Sequence, residues 1–456
     1  MQRTFNAFII AAVCLILAGC ANMMTNTSQY KESEKLLLSR DVSAIISKIE
    51  KEKGKTYKEK DRVLEYLDLG MLYHYQGDYV KSNLLLEQAE QAMEELYTKS
   101  IAKAALSMLL NDNALDYFGE DYEDIYSNVF KALNFMHQNK FDEAFVEIRR
   151  IDMKLNLLED KYGRYADGLN TFKDKKSEFQ AGSNVFTSSA LGRYLSMIIY
   201  THEGQRDNAY IDYNKISESF ASQPNIYNFS KPDMVDPLHQ LTHPVLHIFA
   251  LTGKSPSKNA QELHIHTSKN MLSIVGVDKT VSPHFISWPG IDPDYYFKFS
   301  LPYIVNHDTE VQRVVVRIDN KSFQMQKLED IGNVAYQTYK TKEPIIYLKS
   351  ITRSLLKGIA AEMAKKKMKE KNPGFTGSLM GLATDVVLFA SENADLRISR
   401  FFPDEVLIAE IPLPEGEYNI SIDYYHRNGS LLYSDDKGKV TVNPNKLNLV
   451  ESWHLQ

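Results

Sequence analysis

Residues 69–89 carry the pattern Leu69-Gly70, Tyr73, Gly77-Asp78-Tyr79, Ser82, Leu86 and Ala89. The missing side chain of Gly70 lets two helices approach closely, and Tyr73 fills the groove beside it. Gly77 supplies the left-handed backbone conformation of a tight turn, and the small side chains of Ser82 and Ala89 seat the helix that follows. The stretch therefore predicts two antiparallel helices joined at Gly77.

The same pattern occurs twice more, as Ala132, Phe135, Asn139-Lys140-Phe141, Ala144, Ile148 and Ile151, and as Met197, Tyr200, Gly204-Gln205-Arg206, Ala209, Tyr213 and Ile216. Asn139 replaces glycine at its turn, which asparagine tolerates. The spacing resembles the tetratricopeptide repeat (TPR), although neighbouring turns lie about two repeat periods apart. We therefore expect a further helix pair between neighbours, for instance Met93–Asn111 with Asp121–Phe130. The alternative is an irregular α-helical bundle.

Helical periodicity extends over most of the first half of the chain. No proline occurs in residues 21–223, and apolar residues recur there at three- and four-residue spacing. We therefore predict a TPR-like helical domain at residues 31–220. Its first helix is predicted as Lys31–Lys53, closed by Gly54.

A different pattern begins after residue 220. Five prolines between positions 224 and 256 predict a proline-rich connection at residues 221–257. Period-two alternation then predicts strands at Glu262–Val277, Tyr295–Val305, Val311–Asp319, Ser322–Leu328, Val406–Ile411, Tyr418–Tyr425, Leu431–Tyr433 and Lys439–Val442. The predicted fold class is α+β multidomain, with an N-terminal TPR-like α-helical solenoid and a β-sandwich-like domain at residues 258–456.

Local signals refine the C-terminal domain. Asn428-Gly429 between two strands predicts a hairpin, because both residues accept positive φ. Pro414-Glu415-Gly416-Glu417-Tyr418 resembles the corner of transthyretin- and immunoglobulin-like sandwiches. A helical insertion at residues 345–391 interrupts the strands, and its predicted helices are Ile345–Lys371 and Gly377–Ser391.

The N-terminus carries a targeting signal. Arg3 and an apolar run precede Leu17-Ala18-Gly19-Cys20, the pattern that lipoprotein signal peptidase cleaves. We predict a signal peptide at residues 1–19, lipid attachment at Cys20 and a polar tether at residues 20–30. Because no aspartate follows the cysteine, the expected destination is the outer membrane, facing the periplasm. The alternative is an ordinary secretory signal with a coincidental cysteine.

Several motifs resemble an uncharacterised family of tetratricopeptide-like bacterial lipoproteins. They are Tyr117-Phe118-Gly119-Glu120-Asp121-Tyr122-Glu123, Lys131-Ala132-Leu133-Asn134-Phe135, Glu147-Ile148-Arg149-Arg150, Ala394-Asp395-Leu396-Arg397 and Phe402-Pro403. The family has a tryptophan near the position of Ser399, so the chain departs from it there. The resemblance implies a lipoprotein with a TPR-like fold and brings no known reaction.

Candidate chemical groups are few. His239, His243 and His247 have the four-residue spacing of metal ligands on a helix, but Pro237 and Pro244 argue against one regular helix there. His264 and His266 would share one face of a strand, without an acidic partner. Gly182-Ser183 and Ser188-Ser189 are interpreted as helix caps rather than nucleophiles. We expect no metal or cofactor, and with Cys20 lipidated no thiol is left for catalysis.

The function that these features favour is a non-catalytic protein-binding scaffold or adaptor for an envelope assembly or a periplasmic enzyme. The first helix of each repeat is expected to line a partner groove with Glu65, Asp68, Leu72, Tyr75, Asn134, His137, Tyr194 and Ile198. Alternatively, these side chains bury against the connecting segment 220–250. The expected partners are a protein and, through the lipid, the membrane.

The competing function is a periplasmic hydrolase of glycan or peptidoglycan. A pocket holding two carboxylates about 5–10 Å apart would favour it. The formal net charge of −6 gives no bulk electrostatic reason to bind nucleic acid. The lysine run at residues 365–371 is interpreted as a solvated helix end, with contact to anionic lipid as the alternative.

Overall fold

The computed structural model describes residues 25–104, 110–171, 178–276, 284–289, 291, 295–371 and 394–456. The predicted signal peptide, Cys20 and the predicted helix Gly377–Ser391 lie outside these residues. Within them the protein is mixed α/β, with helices filling the N-terminal half and β-sheets dominating the C-terminal part.

The helices are α1 (Thr25–Leu38), α2 (Val42–Lys51), α3 (Arg62–Gln76), α4 (Tyr79–Ala102), α5 (Asp121–His137), α6 (Phe141–Asn170), α7 (Ala190–His202), α8 (Arg206–Ser222) and α9 (Ile331–Lys371). Short 3₁₀ turns lie at Glu59–Asp61 and Asp112–Ala114.

The three predicted turns are confirmed as the joints of helical hairpins. Gly77, Asn139 and Gly204 have φ values of 82°, 56° and 74°, and they join α3 to α4, α5 to α6 and α7 to α8. Such a left-handed residue ends one helix and reverses the chain into the next. At Gly70 a Cβ atom would lie 2.7 Å from the side chain of Leu86, so α3 and α4 approach closely at that glycine.

Three predictions for the helical half are wrong. The first is the polar tether at residues 20–30, because α1 already begins at Thr25 and Tyr30 is buried. The stretch Lys31–Lys53 is broken at Arg40, whose φ is 57°, and the Asp41 side chain accepts a hydrogen bond from the Ala44 amide to cap α2. Within the described residues, which exclude 105–109, Met93–Asn111 and Asp121–Phe130 do not form an extra helix pair. Instead, α4 continues through Met93 to Ala102, six residues beyond its last buried residue Leu96, and α5 begins the second hairpin.

The strands are β1 (Val245–Thr252), β2 (Ser257–Ser268), β3 (Met271–Gly276), β4 (His284–Ser287), β5 (Tyr296–Val305), β6 (Val311–Ile318), β7 (Lys321–Gln324), β8 (Gln326–Asp330), β9 (Glu405–Pro412), β10 (Gly416–His426), β11 (Leu431–Val442) and β12 (Asn448–His454). They form sheet A in the order β12-β1-β9-β8, sheet B in the order β11-β10-β6-β7 and sheet C in the order β4-β3-β2-β5.

Sheets A and B pack face to face around one hydrophobic core. Ile248 and Leu407 of sheet A meet Val316 and Ile422 of sheet B in this core. The hairpin predicted at Asn428-Gly429 joins β10 to β11, with Gly429 at a φ of 82°. The pairing of β1 with β12 is parallel, whereas β1 and β9 are antiparallel.

Several strand and helix boundaries differ from the predictions. The predicted strand Ser322–Leu328 is divided between β7 and β8, and the predicted strands Leu431–Tyr433 and Lys439–Val442 are parts of the single strand β11. The strand β1 lies inside the predicted connection 221–257, because its apolar run is buried on both faces and does not alternate. The stretch Glu262–Val277 is two strands, reversed at Asn270, whose φ is 61°. The helix α9 begins before the predicted Ile345 and carries Pro344 in its interior.

Sheet A is the middle layer of the molecule. Its second face, which includes Phe249, Ile408 and Trp453, shares a hydrophobic core with the helices, represented there by Phe130 and Tyr194. Sheet C packs instead on α9 through a separate core. The inner side of the helical layer is therefore covered by the C-terminal half of the chain.

Candidate functional site

The eight residues predicted to contact a partner lie where the helical layer meets the C-terminal half. Glu65, Asp68, Leu72, Asn134, Tyr194 and Ile198 are at most 5% exposed, and Tyr75 and His137 are half-buried. The prediction that these side chains line an open groove is wrong, because the chain itself fills the groove. The alternative, burial against segment 220–250, holds in part: His247 and Phe249 of that segment contact Tyr194, whereas Asp68 and Tyr75 contact residues 399 and 401.

The groove holds residues 394–404, which we call the docked segment. Ile398, Phe401 and Phe402 are each at most 1% exposed and belong to the core formed with the helices. The Tyr75 hydroxyl donates a hydrogen bond of 2.7 Å to the Phe401 carbonyl. This segment contains Ala394-Asp395-Leu396-Arg397 and Phe402-Pro403, and the contacts of Arg397 and Phe402 lie within the chain.

Ser399 joins two buried carboxylates from different helices. Its hydroxyl donates to Asp68 Oδ1 at 2.7 Å, and its amide donates to Glu123 Oε1 at 2.6 Å. The hydroxyls of Tyr30 and Tyr57 donate to Asp68 Oδ2 at 2.9 and 2.7 Å. Hydrogen bonds thus fix the docked segment against α3 and α5 at one point.

Burial changes the ionisation of both carboxyl groups. It raises the pKa of Asp68 to about 6, although the hydrogen bonds from Ser399 and the two tyrosines favour the carboxylate. Burial and the charge of Glu120 raise the pKa of Glu123 to about 7. Asp68 and Glu123, the two carboxyl groups that Ser399 contacts, therefore gain or lose a proton close to neutral pH.

Arg397 is the second anchor of the docked segment. Its guanidinium, which is buried, donates to Asp61 at 2.9 Å and to Asp395 at 2.7 Å. It also donates to the carbonyl oxygens of Leu115 and Asp112, each at 3.0 Å. Because the planar guanidinium can satisfy several acceptors at once, one residue ties the docked segment to the loop before α5.

A buried ion pair links α3 to the last strand. Glu451 of β12 lies 2.7 Å from His74 Nε2 and 3.3 Å from His137 Nε2. Burial opposes the charged imidazole, but the charge and hydrogen bond of Glu451 outweigh it and raise the pKa of His74. The two histidines likewise hold the pKa of Glu451 well below its usual range, despite its burial.

Glu329 of β8 connects two further helices to sheet A. It accepts hydrogen bonds from Tyr126 at 2.8 Å, from Tyr227 at 3.1 Å and from the Leu191 amide at 2.7 Å. Burial raises the pKa of Glu329 to about 7. These contacts are structural, since the group is completely enclosed.

A cavity of about 170 Å³ lies at the junction of α4, the loop before α5, α6, α9 and β2; we call it the junction cavity. Its wall contains the carboxylates Asp112, Asp116, Glu120 and Asp395, with the cations Lys99, Lys103, Lys258, Lys342, Lys349 and Arg397. Glu120 pairs with both Lys258 and Lys342, and Asp112 pairs with Lys349 at 2.6 Å.

Several carboxylates in one cavity is the feature that would favour a hydrolase, but two of them, Asp112 and Asp395, have lowered pKa values that do not suit a general acid. Lys349 and Arg353 outweigh burial and hold the pKa of Asp112 well below its usual range. Arg397 does the same to the pKa of Asp395. Neither group carries a proton to donate near neutral pH.

The histidines that suggested a metal site separate into two places. His239, His243 and His247 line one cavity at the C-terminal end of α7. There His247 Nδ1 lies 3.4 Å from Glu410 and 3.2 Å from the Tyr194 hydroxyl. Among the residues described here, no group of three histidine, cysteine or acidic side chains could hold a metal ion.

His264 and His266 lie instead on the outer face of sheet C, each with its ring about 5 Å from Tyr296. One row of this face is Tyr296, His266, Ser273 and Phe285, directly paired across four strands. Phe285 is 68% exposed and Tyr296 45%. Sequence reasoning missed this surface, although its aromatic residues stand at outward positions of alternating strands.

The serine pairs do not form a nucleophilic site. Ser189 Oγ accepts from the Gly192 amide and caps α7, as predicted, while the Ser188 hydroxyl accepts from Ser219. The prediction that Gly182-Ser183 caps a helix is wrong, because these residues lie in an irregular segment well before α7, where the Gly182 amide donates to the carbonyl of Thr341 on α9.

No helix within the described ranges combines the length and apolarity that crossing a membrane requires. A scan against models of known protein families found no match to the chain. Searches of curated proteins and of solved structures also found none.

Proposed function

We propose that the protein is a non-catalytic scaffold or adaptor, held at the outer membrane through a lipid on Cys20, that recruits a protein partner in the periplasm. The observation that carries this proposal is the aromatic outer face of sheet C. Phe285, Tyr296 and Met271 are 68%, 45% and 43% exposed on one side of the sheet. Exposed aromatic and methionine side chains are enriched at protein interfaces.

The interior supports a role in binding rather than in chemistry. The buried charges named above each have a protein partner: Arg397 has Asp61 and Asp395, and Glu451 has His74 and His137. Such pairs fix one arrangement of the layers, as a rigid platform requires. Three of the four carboxylates of the junction cavity, Asp112, Glu120 and Asp395, are held by lysine or arginine.

The sequence supports the remaining parts of the proposal. Three helical hairpins with left-handed residues at equivalent turns are what a TPR-like solenoid would contain. The Leu17-Ala18-Gly19-Cys20 pattern supports the lipid anchor, and Ala21 after the cysteine supports sorting to the outer membrane.

Photo-cross-linking in intact cells tests the proposal. A photoreactive amino acid is placed at Phe285 in one variant and at Val80, which is also 68% exposed but lies on α4, in the control. We expect a defined protein adduct from position 285 and none from position 80. Replacing Tyr296 with serine should then reduce the adduct at 285 severalfold. If both positions capture the same proteins, or Tyr296→Ser changes nothing, sheet C is not the binding surface.

A further inference from the structure

The outer face of α6 carries a stripe of exposed apolar side chains. Val146, Met153 and Leu157 are 41%, 53% and 45% exposed, whereas Ile151 and Leu155 on the opposite face of the helix are buried in the core. An α-helix has 3.6 residues per turn, so steps of seven and four residues bring the three exposed side chains into one line. Nothing in the described ranges buries this line, and it is therefore available to a partner.

The stripe belongs to a longer row with the spacing of a coiled-coil seam, which we call the α6 seam. Its positions are 146, 150, 153, 157, 160 and 164, and successive positions are alternately four and three residues apart. This is the a/d spacing of a helix that packs along a second helix. The seam is about 27 Å long. Arg150, inside it, pairs with Glu87 and Glu90 of α4, so its charge is balanced within the chain.

Four exposed charges next to the α6 seam alternate in sign, in the order Glu143, Arg149, Asp160 and Arg164. None of the four forms an ion pair with another residue that the structure describes. A second α6 that runs antiparallel, with residue 155 of both copies at the midpoint, reverses this order. Arg149 then meets Asp160 of the second copy, and Arg164 meets its Glu143. A parallel second helix would instead place like charges opposite one another, so the charges favour the antiparallel order.

We propose that the α6 seam is a contact between two copies of this chain, which pair α6 against α6 in antiparallel order. Met153 of each copy then packs on Leu157 of the other, as a two-fold contact requires. This surface lies apart from sheet C and does not depend on the proposed scaffold function. A single helix face is smaller than the interface of a permanent dimer, so we expect a dissociation constant in the micromolar range. The dimer would carry two copies of sheet C and could hold a partner at both.

Sedimentation equilibrium of the purified full chain, in a detergent matched to the density of the solvent, measures the association. Met153→Asp should weaken the dimer at least about tenfold, because pairing would bury a charge that has no partner. Ile211→Asp is the matched control, since Ile211 is 52% exposed on another helix, α8, and it should dimerise like wild type. A wild-type chain that stays monomeric up to roughly 100 μM would overturn the proposal, and so would equal dissociation constants for the two variants.

An exchange of charges tests the antiparallel order. Arg149→Asp and Asp160→Arg should each weaken the dimer severalfold, because each change brings like charges together across the contact. The double variant restores opposite signs with their places exchanged, so it should dimerise nearly as well as wild type. Both side chains are exposed, and thermal unfolding checks that the fold is kept. A double variant that dimerises no better than either single variant would contradict the antiparallel pairing.

Cysteine cross-linking tests the register. The only cysteines of the full chain, Cys14 and Cys20, are replaced by serine, and Met153→Cys and Leu157→Cys are prepared in separate proteins. The two proteins are oxidised either alone or mixed. Because position 153 of one copy should face position 157 of the other, the mixed disulfide should form severalfold faster than a disulfide between two identical copies. If one protein cross-links to itself as fast as to the other, the α6 seam does not pair in this way and the proposal is overturned.

Discussion

Ser399 and Asp68 are 331 positions apart in the chain, and the serine hydroxyl donates a 2.7 Å hydrogen bond to the aspartate. The contact brings the docked segment onto the third helix of the N-terminal half. Both side chains are completely buried. The helical layer and the sheets are therefore joined by specific polar contacts as well as by a shared hydrophobic core.

Removing the Ser399 hydroxyl should destabilise the fold. In Ser399→Ala the Asp68 carboxyl loses one buried donor, which costs about 1–3 kcal/mol. Urea unfolding measures the change, with Ser268→Ala on the exposed face of β2 as the control. Equal midpoints for the two variants would show that the contact contributes nothing.

Gly70 tests the close approach of α3 and α4. A Cβ atom there would lie 2.7 Å from Leu86 Cδ2, so Gly70→Leu should overpack the contact and cost about 1–3 kcal/mol or more. Gly163 in α6 is the matched control, because a Cβ atom there meets nothing within 4 Å. Gly163→Ala should be neutral or slightly stabilising, since alanine favours the helix. Similar thermal unfolding of Gly70→Leu and wild type would contradict the packing.

Glu451→Gln should weaken the link between α3 and β12 by about 3 kcal/mol, as when one member of a buried ion pair is removed. His74 has a raised pKa in the fold, so its contribution is complete below the ordinary value of 6.5 and is lost as pH rises through the raised pKa. Glu451 has a lowered pKa, so its contribution is complete above 4.5 and is lost in more acidic solution. The difference between wild type and variant should be largest from pH 4.5 to 6.5. A difference that does not vary from pH 3 to 9 would contradict the ion pair.

Asp68 and Glu123, which contact Ser399, should make the stability of the fold depend on pH in the opposite direction to an ordinary ion-paired acid. Their stabilising contribution is complete below their ordinary values of 3.8 and 4.5, and it is lost as pH rises through about 6 for the pKa of Asp68 and about 7 for that of Glu123. Glu123→Gln cannot ionise. Its free energy of unfolding should therefore fall less steeply from pH 5 to 8 than that of wild type. An unchanged slope would show that Glu123 does not titrate there.

Local signals in the sequence predicted the hairpins, because a turn needs only its own left-handed residue. Gly77, Asn139 and Gly204 each carry that information within a few residues. The filled groove could not be predicted in this way. Asp68 and Asn134 are polar residues on helices, and only partners hundreds of residues away reveal that they are buried. The sequence around Ser399 and around Glu451 does not indicate which helices these residues will contact.

The central claim is that the groove of the helical layer is occupied by the chain's own docked segment, so that a partner must bind elsewhere. Hydrogen–deuterium exchange of the full chain tests it most directly. The Ser399 amide donates to buried Glu123, so peptides covering residues 396–402 should exchange slowly. Residues 428–430 at the exposed tip of the β10–β11 hairpin provide the fast reference. If residues 396–402 exchange as fast as residues 428–430, the segment is not docked and the groove is open.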